Sequence, residues 1–179
     1  GTATFTVVLD SQPTADVTIA LSSSDTTEGT VAPAGLTFTS ANWNTPQTVT
    51  VTGADDSLDD GNVAYTIVTV AATSTDVTYN GVNPSDVAVT NTDDDAVGIT
   101  VTPTTGLTTT EAGGPTTFTV VLATQPTADV TIGLSSSDTT EGTAGPATLT
   151  FTAVPFDGVQ TIFRARRGKS AASASAPEH

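Results

Sequence analysis

The sequence predicts an all-β chain, an antiparallel β-sandwich unit repeated in tandem, and three observations predict it. Apolar β-branched residues alternate with threonine over short runs. Turn residues interrupt those runs at intervals of roughly ten residues, the spacing of a sandwich. A long segment also occurs twice: Thr4–Thr39 recurs as Thr117–Thr152 at an offset of 113, with 30 of 36 residues identical. The differences fall only at positions 10, 11, 20, 31, 32 and 35. Self-similarity of this kind marks a repeat architecture.

The strands follow in chain order. Phe5, Val7 and Leu9 face one way on the first, and Val17, Ile19 and Leu21 on the second. Leu36 with Phe38 marks a third, Val49 with Val51 a fourth, Val63, Tyr65 and Ile67 a fifth, and Val87 with Val89 a sixth. Turns are expected at Ser11-Gln12-Pro13, Asn44-Thr45-Pro46, Gly53, Asp60-Gly61 and Asn83-Pro84. No stretch of the body carries a helical period. Aromatic residues are few, so the core is lean and each unit is expected to lean on its neighbours or on metal.

The offset locates the unit boundaries. Gly98–Gly114 (GITVTPTTGLTTTEAGG) precedes the second copy, but its counterpart would fall before residue 1. Nothing after Arg164 matches the segment from Gly53 to Asp95. Residues 1–96 therefore read as a repeat lacking its first strand, and 97–163 as the N-terminal part of a second. Residues 164–179 read as a low-complexity tail, disordered or adventitious. The chain opens at Gly1 without methionine, so it reads as a piece of a longer one. Incomplete units leave sheet edges open, and pairing with neighbouring repeats or with other copies, head to tail, is expected there.

Charge narrows the functions. All four basic residues, Arg164, Arg166, Arg167 and Lys169, lie in the tail, and residues 1–163 carry a net charge of −18. Nucleic acid is excluded as a partner of the body, because its binding is built from cationic phosphate contacts. Apolar runs such as Val7-Val8-Leu9 are too short to insert in a membrane as helices. So acidic a surface is expected to bind cations or to work in a salty, extracellular setting. Without cysteine, and with His179 as the single histidine, thiolate chemistry, His-bearing zinc sites and Ser-His-Asp triads have no residues to use. The expectation is that the chain is not an enzyme.

The acids cluster where strands end. Asp55-Asp56-Ser-Leu-Asp59-Asp60, Asp93-Asp94-Asp95, and Asp25 to Glu28 with its copy Asp138 to Glu141 are the three groups. Four carboxylates in six residues repel one another, and a hard cation with six to eight oxygen ligands relieves that best, so Ca²⁺ is the expected cofactor. The spacing is not that of an EF-hand, since Asp60 stands where that loop needs glycine. Any site would be assembled from separate loops.

The segments SSSDTTEGT, LTFTSANWNTPQTVTVTGADDSLDDG and VTNTDDD resemble the Calx-β repeat of bacterial surface proteins and of sodium-calcium exchanger regulatory domains. The likeness covers about residues 1 to 163. It implies a seven-stranded immunoglobulin-like sandwich with calcium held by loops at one end. By that resemblance Asp25, and Asp138 in the copy, stand at the family's Ser-Asp-Tyr turn, with Thr26 in place of the tyrosine. Asp55 and Asp56 match the paired acids ending a middle strand, Asp59 or Asp60 a further acid, and Asp93, Asp94 and Asp95 the terminal triplet. Glu111 matches the glutamate of the first strand. Neither unit holds the whole set, so the implied affinity is weak, about 10⁻⁴ to 10⁻³ M.

The function expected from these readings is a calcium-binding structural or adhesive repeat of a secreted, cell-surface bacterial protein. The alternative is a glycan-binding module using Trp43 with Asn42 and Asn44.

Overall fold

The computed structural model describes residues 1–154, 156 and 159–165. Among them every helix or strand is a strand, and all pairings are antiparallel. The chain divides into two compact units. Unit 1 is Gly1–Asp56 with Asp60–Asp94, and unit 2 is Ser57–Asp59 with the chain from Asp95 onward.

Unit 1 is built from β1 (Thr2–Val7), β2 (Val17–Ser23), β3 (Gly29–Ala32), β4 (Gly35–Phe38), β5 (Gln47–Gly53), β6 (Val63–Thr69), β7 (Thr73–Ser74) and β8 (Val87–Asn91). One sheet runs β1-β5-β3; the other runs β4-β2-β6-β8, with β7 also on β2. Directly opposed residues share a face, and the register uses this. Phe5 sits opposite Val49, Val17 opposite Phe38, Ile19 opposite Leu36, and Tyr65 opposite Val89. On β2 the apolar positions are buried while Thr18, Ala20 and Ser22 are exposed. Burial of these stripes drives the fold, at roughly 25 cal/mol per Å² of apolar surface.

Both sheets feed the same apolar clusters. Leu21, Leu36, Phe38 and Val49 belong to one, with Phe5, Val7 and Trp43 packed against it. Val51, Tyr65 and Ile67 form another, flanked by Val31, Val87 and Val89. The arrangement is that of a generic β-sandwich, and these pairings do not single out the seven-stranded immunoglobulin order.

Unit 2 contains β9 (Ile99–Thr102), β10 (Thr116–Leu122), β11 (Val130–Gly133), β12 (Thr143–Gly145), β13 (Thr148–Phe151) and β14 (Val159–Ala165). Its sheets run β12-β14-β10-β9 and β11-β13. Val120, Leu122, Leu149 and Phe151 are its buried core. The last two are the copies of Leu36 and Phe38.

The apolar sets expected from alternation fall on β1, β2, β4, β5, β6 and β8, except that Leu9 lies beyond the end of β1. The short strands β3 and β7 were not legible, because GTVA has one β-branched apolar residue and TS has none. β14 continues through Ala165, past the boundary expected at 163. The disorder expected of the tail beyond it concerns residues 166–179, which lie outside the described residues.

Two glycines give opposed expectations. A Cβ on Gly29 would overlap the Tyr65 hydroxyl and approach the Thr52 carbonyl, whereas one on Gly133 would meet nothing within 4 Å. The first copy already has alanine, Ala20, at the position of Gly133. Gly29→Ala is expected to cost about 1–3 kcal/mol by overpacking. Gly133→Ala is expected to stabilise by about 0.4–1 kcal/mol by restricting the unfolded chain. Urea denaturation of the two variants checks both signs.

Candidate functional site

The chemistry-bearing residues of this chain are its carboxylates, and three of them occupy the same five-residue turn. Ser23-x-Asp25-x-Thr27, Ser74-x-Asp76-x-Thr78 and Ser136-x-Asp138-x-Thr140 share the pattern Ser-x-Asp-x-Thr. In each, the aspartate Oδ1 accepts the threonine N–H two residues on, at 3.0, 2.9 and 2.9 Å. The same oxygen accepts that threonine's hydroxyl at 2.6 Å in all three. The serine Oγ accepts the aspartate N–H, at 3.2, 2.9 and 3.3 Å.

The loop then closes on the aspartate carbonyl. It accepts N–H from Gly29 at 3.2 Å, from Asn80 at 2.9 Å and from Gly142 at 3.2 Å. A chain leaving a strand must find partners for main-chain groups that the ladder no longer satisfies. Short polar side chains supply them locally, which is why aspartate, serine and threonine concentrate at such corners.

These bonds favour the charged carboxylate. The Thr27 hydroxyl, then its N–H, holds Asp25 below the ordinary carboxylate value. The Thr140 hydroxyl and N–H do the same for Asp138. Asp76 is lowered furthest, by the Thr78 hydroxyl first, then the Thr14 N–H, then the Thr78 N–H. Its second oxygen accepts the Thr14 N–H at 2.8 Å, so this buried carboxylate pins the β1–β2 connection to its own turn.

The other acids named from sequence lie outside this turn pattern. In unit 1, Asp93 Oδ2 accepts the Gly61 N–H at 2.7 Å, and Asn62 Oδ1 accepts the Asp93 N–H at 3.0 Å. Gly61 makes the first contact possible with a φ of +77°, a conformation open chiefly to glycine. In unit 2, Asp59 Oδ2 accepts the Val97 N–H at 2.9 Å. Asp55, Asp56, Asp60 and Asp94 are exposed, Asp95 is half-buried, and Glu111 is exposed in the turn closed by Gly113 N–H to Thr110 O.

Among the described residues, no three Asp, Glu, His or Cys side chains are grouped so as to hold a metal ion. A specific calcium site of the kind sequence clustering suggested is not evident among the described residues. Of the ten named acids, Asp25, Asp59, Asp93 and Asp138 each turn a carboxylate oxygen onto nearby main chain.

Two acids escaped the sequence reading, and a third, Glu28, was grouped only with Asp25. Asp76 is one, although its Ser-x-Asp-x-Thr spacing repeats that of Asp25 and would have exposed it. Asp86 is another: its Oδ1 accepts the Thr69 N–H at 2.8 Å and lies 3.2 Å from the Thr69 hydroxyl. Glu28 is buried, with Asn91 Nδ2 donating to its Oε2 at 3.3 Å. Burial, and then the nearby Glu28 carboxylate, push the Tyr65 hydroxyl pKa up. No sequence spacing announces this cluster, because its members, Glu28, Tyr65 and Asn91, lie far apart in the chain.

Trp43, named as a possible glycan platform, is partly buried against the core, and its carbonyl accepts the Leu9 N–H at 3.1 Å. No helix among the described residues is long and apolar enough to cross a membrane.

Fold and turns together define an antiparallel all-β domain whose corners are capped by its own carboxylates. No family model matches the chain, and no curated protein matches it.

Proposed function

We propose that this chain is a non-catalytic structural and adhesive repeat module of an extracellular surface or secreted protein. The observation that carries the reading is the recurrence of the Ser-x-Asp-x-Thr turn three times with one hydrogen-bond pattern. A module that serves as a spacer or display frame needs loops that keep their shape, and here side chains within each loop hold it. The near-identity of two long segments supports an array origin. The likeness of the acidic segments to Calx-β repeats supports a surface setting.

The hydrogen bonds within the turns support a frame that keeps its shape without calcium. An ion bound at about 10⁻⁴ to 10⁻³ M would add only about 0.4–1.4 kcal/mol at a concentration of about 1 mM. The expected result is that millimolar calcium, magnesium and sodium salt of matched ionic strength raise Tm alike, by screening the acidic surface. Differential scanning calorimetry with limited proteolysis checks this. A rise of many degrees with calcium alone would sink the metal-independent frame.

A further inference from the structure

The chain carries six asparagines, Asn42, Asn44, Asn62, Asn80, Asn83 and Asn91, and only Asn80 precedes a glycine. An asparagine side chain can be attacked by the main-chain nitrogen of the next residue, and that residue's side chain decides how easily the nitrogen approaches. Asn83 is followed by Pro84, which has no N–H to give up. Asn44, Asn62 and Asn91 are followed by β-branched Thr45, Val63 and Thr92, and Asn42 by Trp43, all of which crowd the approach. Two of these amides are also held in place. Asn42 Oδ1 accepts the Thr39 N–H at 2.6 Å, and Asn62 Oδ1 accepts the Asp93 N–H at 3.0 Å.

Asn80 and Gly81 are both exposed. A Cβ on Gly81 would meet nothing within 4 Å, so there is room for a ring to close over it. Asn80 Oδ1 accepts the Ser74 N–H at 3.3 Å, which draws electron density from the amide carbon under attack.

The same turn holds the nucleophile back. Gly81 N–H donates to the Ala72 carbonyl at 2.8 Å, and Ala72 N–H donates to the Val82 carbonyl at 2.8 Å, so Gly81 and Val82 clasp a buried residue. Tyr79 anchors the turn from its other side: its hydroxyl donates to the Ser11 carbonyl at 2.6 Å and accepts the Ser11 N–H at 3.1 Å. While the clasp is closed the Gly81 nitrogen keeps its proton. Attack therefore waits on local opening of residues 72–82.

We infer that Asn80 is a self-modification site, a succinimide-forming Asn-Gly pair gated by opening of its own turn. The Gly81 nitrogen gives up its proton and bonds to the Asn80 side-chain carbonyl carbon; the bond to the amide nitrogen breaks, and ammonia leaves with that proton. Water then opens the ring. Addition at the side-chain carbonyl yields aspartate, and addition at the main-chain carbonyl yields isoaspartate, which puts an extra methylene into the chain between residues 80 and 81. That lengthening takes Gly81 and Val82 out of register with Ala72. Ala72, Tyr79 and Val82 also line a cavity of about 230 Å³ with Leu9, Val17 and Ile19, so the slip loosens contacts at the margin of the core. The product accumulates with the time the turn has spent open, independently of what the module displays or adheres to.

The test is incubation of the full chain in mildly alkaline buffer, folded and in urea, with peptide mapping by mass spectrometry to read conversion at each asparagine. Asn80 is expected to convert first in both, and about tenfold or more faster in urea, because the opening step is then removed. Tyr79→Phe removes the anchor to Ser11 and is expected to raise hydrogen exchange at the Gly81 amide and conversion of Asn80 together in the folded chain, with no change in urea. The isolated isoaspartate form should melt below the Asn80→Asp variant, whose main chain is unaltered. Earlier conversion of another asparagine in the folded chain, equal rates folded and in urea, or faster Gly81 exchange in Tyr79→Phe without faster conversion would overturn the inference.

Discussion

Phe38→Ala is expected to destabilise unit 1 by about 3–5 kcal/mol, enough to remove much of the margin of a domain whose stability is of order 5–15 kcal/mol. Phe38 is 0% exposed and belongs to a cluster otherwise made of aliphatic residues with Trp43, Phe5 and Tyr79 at its margin. It stands opposite Val17 at the end of the β2–β4 ladder. Removing the ring leaves a hole that short, β-branched neighbours held in strands cannot collapse to fill. Urea denaturation followed by tryptophan fluorescence reads it directly, because Trp43 packs on the same cluster. Phe38→Leu should cost markedly less. A loss under about 1 kcal/mol for the alanine variant would mean that the two sheets do not share this core.

The second large effect is expected from Asp76→Asn. Oδ1 of Asp76 accepts from Thr78, and Oδ2 accepts the Thr14 N–H. An amide can reproduce one acceptor but not both, so it sets an NH₂ group against one of two N–H donors. At Asp25 and Asp138 the threonine contacts all use Oδ1, and Asn is expected to be tolerated there. Thermal melts should rank Asp76→Asn well below wild type, with Asp25→Asn and Asp138→Asn close to it.

The pH dependence has a defined sign. A carboxylate whose folded pKa is lowered contributes stability that is present above its unfolded value, 3.8, and lost as pH falls through the folded one. The Tm gap between wild type and Asp76→Asn should therefore be full at neutral pH and narrow only on acidification below about 4. Using the difference cancels the relief of general charge repulsion that acid also brings. A gap that stays constant down to strongly acid pH would show that the charge on Asp76 is not what holds the turn.

The fold was legible wherever burial followed strict alternation. Val17, Ile19 and Leu21 point inward on β2 with Thr18, Ala20 and Ser22 outward. That pattern is local, and a reader of the sequence can see it. β3 was illegible because its pairing with β5 depends on main-chain bonds and one valine, Val31. For the site, the sequence showed which residues carry charge but not where their oxygens point. Asp25 and Asp138 were singled out, each in its own copy, as calcium ligands, while the threonine two residues further on, a local feature, holds one oxygen of each. Asp76 followed the same rule unnoticed, since a lone acid in TSTDVT does not stand out by charge.

Five-residue corners that carry their own fastenings make the architecture portable. Strand sequences between them are free to drift, lengthen or be swapped in evolution, provided each bend keeps its hydroxyls and its acid.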